Sequence, residues 1–381
     1  MPTRYFDHAA TTPLAPEVLA AMMPYLTDWY GNASSPHAMG QASQSALDRA
    51  RDDVAAVLGC SVSEVIFTGG GSEGDNLAVK GAAFAYQQAH GSAHVIVSAV
   101  EHHAILHAAE ALTRHGIAVT VVPVDADGMV QVDAIAAAMR PDTALVSVMY
   151  ANNEIGTIQP IAAIAALCRS RGVLCHTDAV QAAGLLDINV HHLGVDMLTM
   201  TAHKCYGPKG VGLLSAKRGT ALWPQIHGGA HERHRRAGTE NVAGIVGLAT
   251  ALTVADAKRD AEVARLTPLR DRLLHQIGAL PGVRVTGHIS QRLANNASFV
   301  IDGVDGDSLL ILLDQRGICA SSGSACTSGS LEPSHVLTAI GAIGTDVQAA
   351  LRLTLGRSTQ PDDVAWVATQ VAAVLQLLRQ A

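Results

Sequence analysis

The stretch Thr201-Ala202-His203-Lys204-Cys205-Tyr206-Gly207-Pro208-Lys209-Gly210 decides how this chain is read. It follows the apolar run 197–200, which reads as a buried strand, and it ends in the Gly and Pro punctuation of a tight turn. Lys204 therefore sits at a strand end, where open α/β sheets hold their ligands. A lysine amine there can condense with an aldehyde, and desolvation leaves it nucleophilic. A lysine picked at random is a surface residue in a polar loop. Lys204 differs in its company: of Lys80, Lys204, Lys209, Lys217 and Lys258, it alone is flanked by a hydroxyl and an imidazole suited to phosphate.

Outward from this stretch, helical and strand patterns alternate for about two hundred residues. The pattern predicts strands near 65–68, 94–99, 118–124, 144–150, 173–177 and 211–215, with helices near 16–26, 44–58, 105–114 and 161–171 between them. Alternation of this kind means a mostly parallel sheet covered by helices on both faces. Polar residues follow the strands: His102 and His103, Asn152 and Asn153, Asp178 and Gln181, then His203 and Lys204. Any one of these could be a helix cap or a solvated surface group. Strand carboxyl ends share one rim, however, so four segments in succession can deliver them to one pocket.

The strand at 65–68 runs into Gly69-Gly70-Gly71-Ser72-Glu73-Gly74-Asp75-Asn76 and then a helix. A glycine-rich turn opening a helix exposes backbone N–H groups at its positive end, which suits a phosphate. Such turns also occur as plain connections. Beyond Gly238-Thr239-Glu240-Asn241 the pattern changes to two long helices, near 242–258 and 262–277, with Pro268 a potential break in the second. The remaining chain predicts a strand at 297–301 and helices at 307–315 and 361–379. The expected division is a large domain over 16–258 and a smaller α+β domain from 1–15 and 259–381.

At 381 residues the chain has room for two lobes and a full core. Its net charge of −7 disfavours a polyanionic partner, and the cluster 231–236 is too local for a nucleic-acid track. The N-terminus lacks the apolar core of a signal peptide, and the run 242–255 is too short to span a bilayer. The expectation is a cytoplasmic protein with no membrane or nucleic-acid partner. The six cysteines (Cys60, Cys168, Cys175, Cys205, Cys319, Cys326) lack paired spacing, and no CxxC occurs. That pattern implies buried thiols with room for one reactive one, and no metal site is expected. The reactive candidate is Cys326, within Ser321-Ser322-Gly323-Ser324-Ala325-Cys326-Thr327-Ser328-Gly329-Ser330-Leu331-Glu332-Pro333. Cysteine is usually buried, so a thiol on a Gly/Ser-rich loop, about 320–333, reads as either an accidental surface residue or a travelling nucleophile.

These segments, together with His176-Thr177-Asp178-Ala179-Val180-Gln181, Asn152-Asn153-Glu154-Ile155-Gly156 and Leu351-Arg352-Leu353-Thr354-Leu355-Gly356-Arg357, resemble the pyridoxal-phosphate cysteine desulfurases. The resemblance runs nearly end to end, from Asp7-His8-Ala9-Ala10-Thr11-Thr12-Pro13 onward. The cysteine loop is similar to the group that includes the housekeeping iron-sulfur enzyme and the nitrogenase-associated one. Arg235-Arg236-Ala237-Gly238-Thr239-Glu240-Asn241 looks closer to the latter. The implied fold is the type I fold of pyridoxal-phosphate transferases.

The resemblance implies a role for each matching position. Lys204 would hold pyridoxal 5'-phosphate and then remove the Cα proton, and Asp178 would pair with the ring nitrogen. Gln181 would bind the ring hydroxyl, and His102 would stack on the ring and assist proton transfer. His103 is read as a surface neighbour. Gly71, Ser72, Thr201 and His203 would bind the phosphate, with Thr239 contributed by the partner subunit of a homodimer. Asn153 and Arg352 would hold the substrate L-cysteine, and Cys326 would take its sulfur as a persulfide for an acceptor protein such as an iron-sulfur scaffold. A selenocysteine lyase or another small-amino-acid enzyme of the same fold is the alternative. The sequence departs from the usual pattern at Ser72 (threonine), Thr201 (serine), Gly74 (serine) and Ala202 (glycine). It also stops at Ala381, where housekeeping members carry a longer tail that engages the scaffold.

Overall fold

The computed structural model describes residues 3–322, 334–342 and 348–380. A short strand β1 (Arg4–Tyr5) leads to helices α1 (Pro16–Thr27) and α2 (Ala38–Leu58). The alternating part then comprises β2 (Val65–Thr68), α3 (Gly71–His90), β3 (His94–Ser98), α4 (His103–Thr113), β4 (Ala118–Val122), α5 (Val132–Ala138), β5 (Thr143–Ser147), α6 (Ile161–Ser170), β6 (Leu174–Asp178), α7 (Val190–Leu193), β7 (Met197–Thr201) and β8 (Gly212–Ala216). A single turn α8 (His231–His234) and the long helix α9 (Val242–Gly278) precede β9 (Val283–Val285), β10 (Asn296–Asp302), α10 (Gly306–Gln315), β11 (Ile318–Cys319), α11 (His335–Ala339), β12 (Gln348–Thr354) and α12 (Pro361–Leu378).

The main sheet has the strand order β2-β8-β7-β6-β5-β3-β4. Pairing is parallel from β7 through β4, while β8 runs antiparallel to both neighbours, β2 and β7. Two antiparallel steps leave β2 pointing the same way as β7, so the carboxyl ends of β2, β3, β5, β6 and β7 share one rim. Every residue of β2, β3, β5, β7 and β8 is buried. Alternate side chains enter opposite cores, as the two-residue period requires. Ile66, Val95, Val97, Leu145, Met197 and Leu214 pack against α3 and α4. Phe67, Ile96, Val146, Leu198 and Leu213 pack with Leu47, Val54, Ile161, Ile245 and Leu248 from α2, α6 and α9. The mostly parallel, doubly covered sheet expected from the alternation is thus present.

A second core gathers Phe6, Leu273, Ile277, Phe299, Leu309, Leu313, Leu351, Leu353, Val364 and Val371 around the antiparallel sheet β12-β10-β9. The strand at 348–354, which the sequence pattern did not single out, pairs with β10 from Asn296↔Thr354 to Asp302↔Gln348.

Two helices expected around 242–258 and 262–277 are one, 37 residues long, with Pro268 inside it. Its first half is anchored in one core by Ile245, Leu248 and Leu252, and its second in the other by Leu266, Leu273 and Ile277. An interior proline costs about 3 kcal/mol. Burying each of those large side chains returns about 1.5–3 kcal/mol, so packing wins. Upstream of the proline, the Thr267 hydroxyl donates to the Val263 carbonyl.

The turn α8 carries three non-glycine residues in the left-handed region, Glu232 (φ 48°), Arg233 (φ 57°) and His234 (φ 64°). Each such residue costs on the order of 1–3 kcal/mol and persists only when its surroundings over-determine it. The buried Glu232 carboxylate accepts from Arg51 through both oxygens, at 2.7 and 2.9 Å, and from the Phe67 amide at 3.1 Å. The basic loop is therefore stapled to the body by its one buried acid.

Candidate active site

Lys204 closes the 3-10 turn that follows β7, at the rim of the sheet. Its ammonium donates to the carbonyls of Ala9 and Ala10, the latter at 2.8 Å, so the N-terminal segment lies across it. Asp178 ends β6, is only 5% exposed, and accepts from the Val180 amide at 2.9 Å. Burial pushes its carboxyl up to about 6, against the pull of that amide and of Lys204. His102 caps α4: its Nδ1 accepts from the Ala104 amide at 3.1 Å. Burial, reinforced by the Lys204 charge, lowers this imidazole to about 4.

Beneath Asp178 the same sheet face carries a polar column. His176 Nδ1 meets the Ser147 hydroxyl at 2.8 Å and His176 Nε2 meets the Thr199 hydroxyl at 2.9 Å. Asp75 on α3 approaches His176 Nε2 at 3.9 Å. This contact joins two neutral groups rather than an ion pair, because burial lowers His176 to about 3 and holds the Asp75 carboxyl well above its usual range, with Asp178 pushing the same way. Asp75 Oδ1 and Glu101 Oε2 are buried without a hydrogen-bond partner among the described residues. Glu101 Oε1 accepts from Ser98 and from the Met149 amide, and burial pushes its carboxyl up to about 8. Here α3 comes so close to β7 that a Cβ on Gly74 would stand 2.9 Å from Thr199 Cγ2, which gives the glycine at this position a packing role.

The opposite end is built from backbone. Gly71 and Ser72 begin the 20-residue helix α3, whose unpaired N–H groups and positive dipole face the cavity. Thr201 and His203 flank it. The Thr201 hydroxyl donates to the Val211 carbonyl at 3.2 Å, and His203 Nδ1 meets the Thr11 hydroxyl at 3.1 Å. Burial together with the Lys204 and Lys209 charges lowers His203 to about 4. A second opening on this side is lined by Gly69–Glu73, Thr201, His203 and Lys209, and Arg236 reaches it through an ion pair with Glu73 at 2.8 Å.

The third wall is Arg352 on β12, 1% exposed, donating to Asp7 Oδ1 at 2.8 Å and to the Asn153 carbonyl at 3.0 Å. Beside it the Glu154 carboxylate accepts from the Ser334 hydroxyl at 2.6 Å, and burial pushes its carboxyl up. His335 Nε2 lies 2.9 Å from the Glu101 carbonyl.

Gly71, Ser72, His102, Asn153, Asp178, Gln181, Thr201, His203, Lys204 and Arg352 all line one cavity of about 400 Å³, a size in the range of small-ligand sites. Thr239 is exposed and does not line it. Cys326 lies outside the described residues. Gln181 donates to the Ala9 carbonyl at 2.9 Å. His103, expected as a surface neighbour, lines the cavity, because α4 starts at the rim and turns its first residue inward. Asp75, Glu154 and His335 also line it and were not anticipated. Asp75 was findable, since it falls one helical turn after Gly71 on the same face of α3.

The donor set suits a planar phosphorylated aldehyde: an amine donating to two carbonyls, a buried acid, an imidazole wall and a helix N-terminus where a Cβ on Gly71 would already meet Val180 at 3.0 Å. A profile described as "Aminotransferase class-V" matches residues 4–367. The cysteine desulfurase IscS of Methanosarcina thermophila is 47% identical over 375 residues, covering 98% of this chain and 92% of that one. The chain belongs to the class-V aminotransferases, among the cysteine desulfurases. A solved structure described as a NifS-like protein superposes with a TM-score of 0.91 at 33% identity, covering 99% of this chain and all of that one. Another, SspA in complex with cysteine, gives 0.81 at 33% identity and covers 93% and 99%. Desulfurases of this class are pyridoxal-phosphate enzymes, and the cofactor matches the walls just described. Among the described residues no helix is long and apolar enough to cross a membrane.

Proposed function

We propose that this chain is a cysteine desulfurase that converts L-cysteine to L-alanine and carries the sulfur as a persulfide on Cys326 for transfer to an acceptor. The observation that carries the assignment of roles is the convergence of a lysine amine, a buried carboxylate and a buried guanidinium on one cavity. Pyridoxal phosphate, when bound, supplies an aldehyde for amine exchange and a protonated ring that withdraws electrons from Cα. Lys204 would be the residue that holds its aldehyde carbon and would serve as the base for the Cα proton of the substrate. Asp178 would pair with the ring nitrogen and keep it protonated. Asp75 and Glu101, kept neutral by burial, add no second charge beneath it. Gly71, Ser72, Thr201 and His203 anchor the phosphate, and Gln181 orients the ring edge.

Arg352 and Asn153 take the substrate carboxylate. The arginine fork is pre-aimed by Asp7 and the Asn153 carbonyl, so little freedom is lost on binding. His102 keeps its Nδ1 on the Ala104 amide, which places the proton of the neutral ring on Nε2. It would stack on the cofactor ring with Nε2–H as its donor.

A homodimer completes the phosphate site in this reading. Leu19, Met23, Leu26, Trp29 and Tyr30 are 44–75% exposed along and just beyond α1, an apolar stripe suited to a second copy, and the exposed Thr239 is available to that copy's cavity. The acceptor is a sulfur-binding protein such as an iron-sulfur scaffold, in the cytoplasm.

The test is sulfide and alanine release from L-cysteine with a reductant, in wild type and Cys326→Ala. The variant should keep its cofactor colour and its spectral response to cysteine but lose sulfide release. Release at the wild-type rate would remove Cys326 from the mechanism and favour a lyase.

A further inference from the structure

Three imidazoles meet at the mouth of the cavity, on the wall shared with Arg352. The His103 ring stacks on His107 from its own helix, centroids 5.0 Å apart and planes 19° apart, and packs against His335 of α11 at 4.6 Å. The cluster is not a metal site: among the described residues no three His, Cys, Asp or Glu side chains converge on one ion position. Proton transfer is the chemistry left to it, and the tautomers can be assigned. A carbonyl only accepts, so the contact of His335 Nε2 with the Glu101 carbonyl puts the His335 proton on Nε2 and leaves Nδ1 as a lone pair. The Ala104 amide likewise leaves His102 with Nε2–H, a donor toward the pocket. His103 alone lines the cavity with neither ring nitrogen hydrogen-bonded among the described residues.

We propose that His103 is a further catalytic base, taking the proton of the thiol that attacks the substrate sulfur. The proposal rests on the desulfurase reading above. In that step the attacking thiol, R–SH, forms an S–S bond to the substrate sulfur while the Cβ–S bond breaks and its electron pair goes to Cβ. The sulfhydryl proton passes to His103 and then to Cβ, completing the methyl group of alanine. The sum, R–SH plus cysteine giving R–S–SH plus alanine, needs no outside oxidant.

The groups facing His103 fit this use. Burial and the neighbouring His335 and His107 imidazoles lower its pKa, so the ring is neutral and ready to accept near pH 7. Glu154, from the loop after β5, pulls the other way and shelters the proton once it arrives. The His102 ring centroid lies 6.3 Å away, and burial with the Lys204 charge makes it a weak base at about 4. Arg352, on the same wall, would hold the substrate carboxylate.

Alanine formation from saturating L-cysteine with dithiothreitol, followed from pH 6 to 9.5 in wild type and His103→Gln, tests the proposal. The variant should retain cofactor absorbance and its change on adding cysteine. It should be about 10²-fold slower near pH 7, the usual worth of a positioned base, and recover toward wild type as pH passes about 8.5, where thiols ionise unaided. A variant equal to wild type, or slower by the same factor at every pH, overturns the proposal. His103→Asn serves if the glutamine variant fails to take up cofactor. A wild type that forms no alanine from cysteine would instead remove the parent reading.

Discussion

The two ends of the cavity solve opposite problems by opposite means. Around Asp178 the groups are side chains on buried strands: His176, Thr199 and Ser147 are each fully enclosed, and Asp75 and Glu101 stay neutral for want of water. Around Gly71 and Ser72 the groups are mostly backbone N–H at a helix start, beside an opening to solvent. The first end controls charge in a dry region, where an unpaired carboxylate is costly. The second would hold an anion through several donors that solvent can partly replace. Substitutions at the ring end should therefore change chemistry or stability sharply. Those at the phosphate end should change occupancy gently.

The largest effect expected is from Asp178→Asn, which keeps shape and removes the anion. Alanine formation should fall about 10²–10³-fold, the cost typical of losing one preorganised electrostatic contact, while cofactor remains bound. Single-turnover rates with bound cofactor measure this directly, and a loss under tenfold would erase the contrast between the two ends.

Next in size is Glu101→Gln. The unfolded glutamate ionises above about 4.5, whereas the buried one stays protonated up to about 8. The unfolded state thus releases its proton first, and the wild type loses stability as pH rises through this window. The glutamine variant has no such proton. Its melting temperature relative to wild type should climb steadily from pH 5 to pH 8, whatever the fixed cost of its amide. A difference that is flat with pH would mean that Glu101 is already charged and that the ring end is wetter than its burial implies.

How much of this was legible in the chain depends on the physics of each element. The parallel sheet was readable because its strands are short, mostly apolar runs alternating with helical patterns, and the rim residues because they follow those runs directly. The continuity of α9 was not, since Pro268 and the polar stretch after Lys258 look like breaks until two separate cores are seen gripping the two halves. β12 was missed because its partner β10 lies about fifty residues earlier, a pairing that local patterning does not encode. His103 was misjudged for a similar reason. Whether the first residue of a helix faces solvent or a cavity depends on how α4 meets the rim and on His335, more than two hundred residues away. Lys204 and Asp178 were singled out at strand ends and Arg352 through the resemblance alone, and their convergence on one cavity is a tertiary fact.

The smallest effect expected is at Ser72, and it sharpens the comparison most. Its hydroxyl is exposed at the first turn of α3, where neighbouring backbone N–H groups present the same kind of donor to the same anion. Ser72→Ala removes one hydrogen bond worth about 1 kcal/mol and leaves the helix dipole intact, so cofactor affinity should drop about fivefold with the turnover of loaded enzyme unchanged. Cofactor titration by absorbance alongside turnover at saturating pyridoxal phosphate separates the two quantities. If Ser72→Ala instead lowered turnover at full occupancy, the phosphate would be setting the tilt of the ring over Asp178, and the two ends of the cavity would be one mechanical unit rather than an anchor and a reaction centre.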